Sequence, residues 1–117
     1  NDPDNRRMMR FSDWNESEQE TWDMTRKWIT LRKSRMSLMY GQSSYCTNDS
    51  TPGVLAIQRT YLDEKTLTLI NTTSKERRFP ISEKCRPSLL TGSATLEGNV
   101  IILPPTACAA LDISPSL

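Results

Sequence analysis

The chain has 117 residues, with 15 lysines and arginines against 14 aspartates and glutamates and no histidine. That length suits one modest domain with its own core, and the near-zero net charge gives no general pull toward nucleic acid or an anionic membrane. The lack of histidine excludes Ser-His-Asp and Cys-His nucleophile systems and removes the commonest zinc ligand.

Four glycines scattered at 41, 53, 92 and 98 form no phosphate-cradling loop. No apolar run approaches the roughly 20 residues that a membrane-spanning helix needs. The apolar share of 36% is low for a globular chain, so some segments should be extended or loosely packed. Cys46, Cys85 and Cys108 show no C-x-x-C spacing. Their odd number suits three free thiols acting as small core hydrophobes, or one disulfide plus a free thiol.

Residues 1–16 are polar and rich in turn formers, with Pro3 and an Asn/Asp cluster. Met8, Met9 and Phe11 form the apolar patch of this zone, and Trp14 follows. A start without an initiator Met, and unlike a signal peptide, leads us to expect a chain cut from something longer. A helix is predicted from about Ser17 to Arg35. Ser17 and Glu20 have capping-box spacing. Glu16, Glu18 and Glu20 sit at its N-terminal end, and Arg26, Lys27, Arg32, Lys33 and Arg35 crowd its C-terminal end, the order that offsets a helix dipole. Met24, Trp28 and Leu31 recur at helical spacing, widened by Trp22 and Ile29, so one face is expected to be buried.

From about Leu38 the period changes to alternation between turn signals. Strands are predicted over Leu38–Cys46, Val54–Tyr61, Thr66–Ile70, Arg77–Ile81, Ser88–Leu90, Ala94–Leu96, Val100–Leu103 and Ala107–Ile113. Turns are expected at Asp63-Glu64 and Asn71–Ser74. Pro104-Pro105 blocks ladder pairing and marks a strand change or an edge. This reads as a mainly β chain, an antiparallel β-sandwich preceded by one helix. The basic helix end is explained by the dipole, so no nucleic-acid or membrane partner is inferred. Asn15, Asn48 and Asn71 open glycosylation acceptor patterns, which arise readily in such turns and receive no function here.

Function enters through three strings. Asn1-Asp2-Pro3-Asp4-Asn5-Arg6-Arg7-Met8-Met9-Arg10-Phe11 resembles the segment after the last catalytic-site strand in α-amylase-family glycoside hydrolases, with the nearest likeness to the neopullulanase, cyclomaltodextrinase and maltogenic amylase branch. The stretch Trp28-Ile29-Thr30-Leu31-Arg32-Lys33-Ser34-Arg35-Met36-Ser37-Leu38-Met39-Tyr40-Gly41 looks like that family's last barrel helix running into its C-terminal domain, with Trp28 at a position typically held by Leu. The ending, Val100 to Leu111, looks like the family's closing strands. The likeness covers nearly the whole chain in order.

The resemblance implies a (β/α)8 barrel upstream, with residues 1–37 as its remnant and 38–117 as the C-terminal β-sandwich. A retaining glycosidase needs two carboxyl groups about 5 Å apart. The family's catalytic carboxylates and its conserved histidines lie before this chain would begin, so no catalytic residue is carried over. Asp2, Asp4, Asp13 and Asp63 match none of the catalytic motifs. In the neopullulanase-like branch the first Asp and the Arg four residues later hold a glucose unit, and these match Asp2 and Arg6; a carboxylate accepts sugar hydroxyls and a guanidinium donates in a planar fork. The implied partner is an α-glucan bound by the parent enzyme. No cofactor or metal is called for, and no compartment follows, since relatives work both inside cells and outside the inner membrane.

Trp14, Trp22, Trp28, Tyr40, Tyr45 and Tyr61 are candidate sugar-stacking rings, although helical spacing makes Trp22 and Trp28 packing residues first. Without a barrel, the helix stripe (Trp22, Met24, Trp28 and Leu31) would be exposed and would favour self-association. The rival reading is a self-sufficient carbohydrate-binding module.

Overall fold

The computed structural model describes residues 7–115. The first element is α1 (Glu16–Ser34), 19 residues long. Its N-cap is Asn15, not Ser17. Asn15 Oδ1 accepts the Glu18 backbone N–H at 2.9 Å, and Glu18 Oε2 accepts the Asn15 N–H at 2.9 Å. Both Asn15–Glu18 and Ser17–Glu20 have capping-box spacing. The earlier pair wins because asparagine is among the strongest N-caps, and starting there adds hydrogen-bonded residues while keeping Glu16 and Glu18 in the first turn.

Arg35 breaks the helix with extended backbone (φ −125°, ψ 122°), and a short α2 (Met36–Tyr40) follows. The strand expected over Leu38–Cys46 is therefore corrected: its first half is helical, and β1 is Gln42–Tyr45. The cause is tertiary. Glu64 Oε1 accepts the Ser37 N–H at 2.6 Å, satisfying a donor that a short helix leaves unpaired. The Gly41 N–H then bonds Ser37 O at 3.0 Å. A Cβ at Gly41 would lie 2.3 Å from that same oxygen, so only glycine lets the chain leave this turn for β1.

The remaining strands are β2 (Val54–Tyr61), β3 (Glu64–Asn71), β4 (Arg77–Pro80), β5 (Ser88–Gly92), β6 (Thr95–Glu97), β7 (Val100–Leu103) and β8 (Cys108–Asp112). They form a five-stranded sheet in the order β1-β2-β3-β8-β5 and a three-stranded sheet in the order β4-β7-β6, antiparallel throughout. Pro104-Pro105 stands where the chain leaves β7 in the small sheet for β8 in the large one, the strand change that its missing donors suggested.

Alternation fixes the faces. Ala56 opposes Leu69, Leu69 opposes Ala109, and Leu67 opposes Leu111. Facing them, the small sheet contributes Phe79, Ile101 and Leu103, and the two sets form one buried core with Val54 and Ile113. Asn71 is 1% exposed and is buried by full satisfaction rather than by being apolar. Its amide donates to Lys75 O at 2.8 Å and Pro104 O at 2.9 Å, and its oxygen accepts from the Thr73 N–H and hydroxyl. The glycosylation pattern at Asn71 is thus a turn anchor.

The helix is left largely uncovered, as expected of its stripe without a barrel. No residue of α1 is buried. The expected stripe is also split. Met24 and Trp28 line a groove against the Pro104–Cys108 and Thr91–Ser93 segments, Leu31 lines an adjoining one against β5, and Trp22 faces neither. Among the described residues, no helix is long and apolar enough to cross a membrane.

Candidate functional site

Two constellations stand out: the helix arm formed by residues 7–34, and the joint that fastens it to the sandwich. In the arm, Arg10 forms an ion pair with Glu18, the same residue that completes the N-terminal cap. The Trp14 indole N–H donates to Arg10 O at 3.2 Å, which folds the segment before α1 back over its first turns. Trp14 and Trp22 then meet with ring centroids 5.3 Å apart at a tilt of 39°, within the range of favourable aromatic pairs. The Arg26 guanidinium lies 4.5 Å from the Trp22 ring centroid, a cation–π contact. The result is a shallow groove of about 420 Å³ floored by Trp14 and Trp22 and rimmed by Arg10 and Glu18.

Trp22 is thereby engaged by two neighbours and is not an open platform for a sugar ring. Tyr40 and Tyr61 similarly pair with each other, centroids 6.4 Å apart. Tyr45 is 76% exposed on the edge strand β1, and Met8, Met9 and Phe11 are exposed as well. Asp2 and Arg6, the sugar-holding pair implied by resemblance, lie outside the described residues, as does Asp4. Asp13 and Asp63 are exposed and sit in separate loops.

The joint is built from residues that the sequence did not mark. The Arg35 Nε donates to Thr66 Oγ1 at 2.7 Å, and its Nη2 approaches Asp112 Oδ1 at 3.3 Å. Ser37 Oγ and Thr66 Oγ1 are hydrogen-bonded at 2.8 Å, both fully buried. Glu64 caps Ser37, and the Ser114 N–H donates to Asp112 Oδ1 at 2.8 Å. Three chain segments, around Arg35–Ser37, Glu64–Thr66 and Asp112–Ser114, thus converge where α1 ends.

Burial raises the Glu64 carboxyl, but hydrogen bonds from Ser37 and the Arg35 charge outweigh it and hold the group below the usual glutamate range. Asp112 follows the same balance: burial raises it, while the Ser114 hydrogen bonds and Arg35 bring it below the usual aspartate range. A glycosidase acid needs a raised pKa. Both carboxylates are instead held ionised as acceptors, so the joint has the chemistry of a fastening. Cys46, Cys85 and Cys108 are free and half-buried.

No protein-family model matches the sequence, and no curated protein matches it. Solved structures do match. An isomaltulose synthase mutant from Erwinia rhapontici NX5, in complex with its natural substrate sucrose, superposes with a TM-score of 0.67 at 25% identity, covering 77% of this chain and 17% of that one. A debranching enzyme from Nostoc punctiforme, soaked with acarbose, gives 0.67 at 21% identity, covering 85% and 20%. A trehalulose synthase mutant in complex with Tris gives 0.65 at 20%, covering 74% and 17%. The chain therefore spans about a fifth or less of the length of these proteins. All three are α-amylase-family enzymes, and the shared fold is a mainly antiparallel β-sandwich with one main helix, consistent with an amylase C-terminal domain.

Proposed function

We propose that the chain is the C-terminal part of an α-amylase-family glycoside hydrolase acting on starch-type α-glucans, where it is a structural accessory rather than the catalytic unit. The observation that carries this reading is the arm on its joint. A long helix with uncovered apolar residues is fastened at one end to a two-sheet sandwich, an arrangement suited to a helix whose other side belongs to a larger body. In this reading residues 1–37 are the remnant of a (β/α)8 barrel, residues 38–117 are the sandwich, and the catalytic carboxylates of a retaining α-glucan hydrolase lie upstream. The joint then fixes the angle between sandwich and barrel, and with it the position of the segment before α1.

The finer assignment to the neopullulanase, cyclomaltodextrinase and maltogenic amylase branch is supported by the Asn1–Phe11 string. There Asp2 and Arg6 would hold a glucose unit of the substrate. In the absence of a barrel, the chain would self-associate through α1.

The coding sequence upstream of Asn1 tests this identity directly. It should encode a barrel carrying the Asp, Glu and Asp motifs, and an unrelated upstream domain would refute the assignment. A second measurement addresses the accessory role. Tryptophan fluorescence of the chain alone should not change on titration with maltooligosaccharides or cyclodextrins into the millimolar range. Saturable quenching would instead make it an independent carbohydrate-binding module.

A further inference from the structure

We infer that α1 and α2 are one helix held bent, with Arg35 as the hinge and with Glu64 and Asp112 as the latch that keeps it from straightening. This goes beyond the accessory role proposed above; within that role it gives the arm a second direction in which to point. Nothing local calls for the break. Residues 16–40 contain no glycine or proline, and residues 31–40 contain no β-branched residue. Yet Arg35, the one residue between the two helices, has extended backbone. A kink without Pro or Gly needs a group inserted into the helical hydrogen-bond ladder. Glu64 of β3 is that group: its Oε1 accepts the Ser37 N–H, which a continuous helix would give to Lys33 O. The Arg35 side chain is meanwhile drawn to the sheet by Thr66, Lys65 O and Asp112.

The straight form is one residue's rotation away. Mainly ψ of Arg35 must turn, from 122° to about −42°. The Met36, Ser37 and Leu38 N–H groups then bond the Arg32, Lys33 and Ser34 carbonyls. Beyond the hinge the pattern is already that of a helix: the Met39 N–H bonds Arg35 O at 3.2 Å, and the Gly41 N–H bonds Ser37 O at 3.0 Å. Ser37 is fully buried and hydrogen-bonded to Thr66, so α2 stays on the sheet. Helix α1 has no buried residue and leans on the sandwich along the grooves at Met24, Trp28 and Leu31, so the arm is the part that swings. The latch works through charge. The Arg35 side chain is 12% exposed, and without the two carboxylates it would be a buried, unpaired cation, which drives it out to water.

Backbone NMR of the whole chain tests the latch. In wild type the Cα chemical shift of Arg35 should be that of extended backbone. In E64A/D112A it should change sign to helical, and residues 34–38 should read as one unbroken helix. The amide shifts of Thr91 and Gly92, across the groove from α1, should move as the arm leaves, while those of β7 stay as in wild type. M36P is the counterpart. Proline suits the first position of a helix and holds the residue before it extended, so it fits the bent form and forbids the straight one. Added to E64A/D112A, it should restore the extended shift of Arg35. Should the double variant not fold, E64A alone decides, and its Arg35 shift should move part of the way toward helical. An Arg35 that stays extended in these variants, or residues 35–40 that turn to random coil, overturns the proposal. Neither outcome bears on the amylase assignment, which the upstream sequence decides.

Discussion

The guanidinium of Arg35 bonds to Thr66, Lys65 O and Asp112, at sequence separations of 31, 30 and 77 residues. In the sequence it is one of five basic residues crowding a helix end, and the dipole accounts for all five equally well. What sets Arg35 apart is its side chain, which is only 12% exposed. That burial depends on where β3 and β8 come to lie, so no local pattern announces it. The pairing predicts a pH dependence. Glu64 and Asp112 are both held below their unfolded values, so each stabilises the fold while ionised. That contribution is complete above the unfolded pKa values, about 4 for both residue types, and is lost as pH falls through the lower folded values. Urea denaturation between neutral and strongly acidic pH should therefore show stability that is flat at first and falls below about pH 4. D112N should be less stable at neutral pH yet lose less on acidification. Parallel pH profiles for wild type and variant would show that Asp112 plays no such part.

At the level of elements, legibility followed burial. β2 and β3 turn one side to the core and alternate, whereas β7 and β8 are buried on consecutive residues and read as short apolar runs, and both patterns are plain in the sequence. The segment after α1 misled because its helical turn is made by Glu64, a residue on another strand. The helix was found to within a residue or two, but its cap was not, since two capping boxes overlap and spacing does not rank them. This gives a sharp comparison. N15A should cost helix stability of about 1 kcal/mol, as N-cap truncations do, while S17A should change it by a few tenths at most. Mean helicity and thermal melting of the two variants would read the difference; a larger loss from S17A would return the cap to its expected place. The Arg10–Glu18 ion pair, lying at the surface, should add little to either.

The whole molecule is longer than its size requires. Its radius of gyration is 16.4 Å and its extents are 50 × 32 × 24 Å, against a radius of about 13 Å for a compact chain of this length. The excess is the arm, and sequence periodicity could not foresee it: a stripe of Met24, Trp28, Leu31 and Trp22 promises a buried face without saying which body buries it. The aromatic residues were legible as candidates, but their pairing with one another was not, and that pairing turns Trp22 from a sugar platform into a packing residue. An arm built this way implies two tiers of stability. The core strands hold fully buried Leu67, Leu69, Ile101 and Leu111, so their amides should exchange with solvent only on global unfolding. Helix α1 has no fully buried residue, with Trp28 and Leu31 half-covered, and relies on its cap, its dipole-matched charges and the joint; a helix with so little tertiary support is marginal in water. Hydrogen exchange in dilute solution should therefore find residues 16–30 exchanging orders of magnitude faster than β3 and β8. Removing the joint with R35A should speed α1 further and leave the core almost unchanged. Raising the protein concentration should slow exchange in α1 alone, because pairing through the helix covers the arm and leaves the sandwich as it was. Equal protection of α1 and β3 at the lowest concentration would mean that the arm is stabilised within one chain, and the two-tier picture would fall.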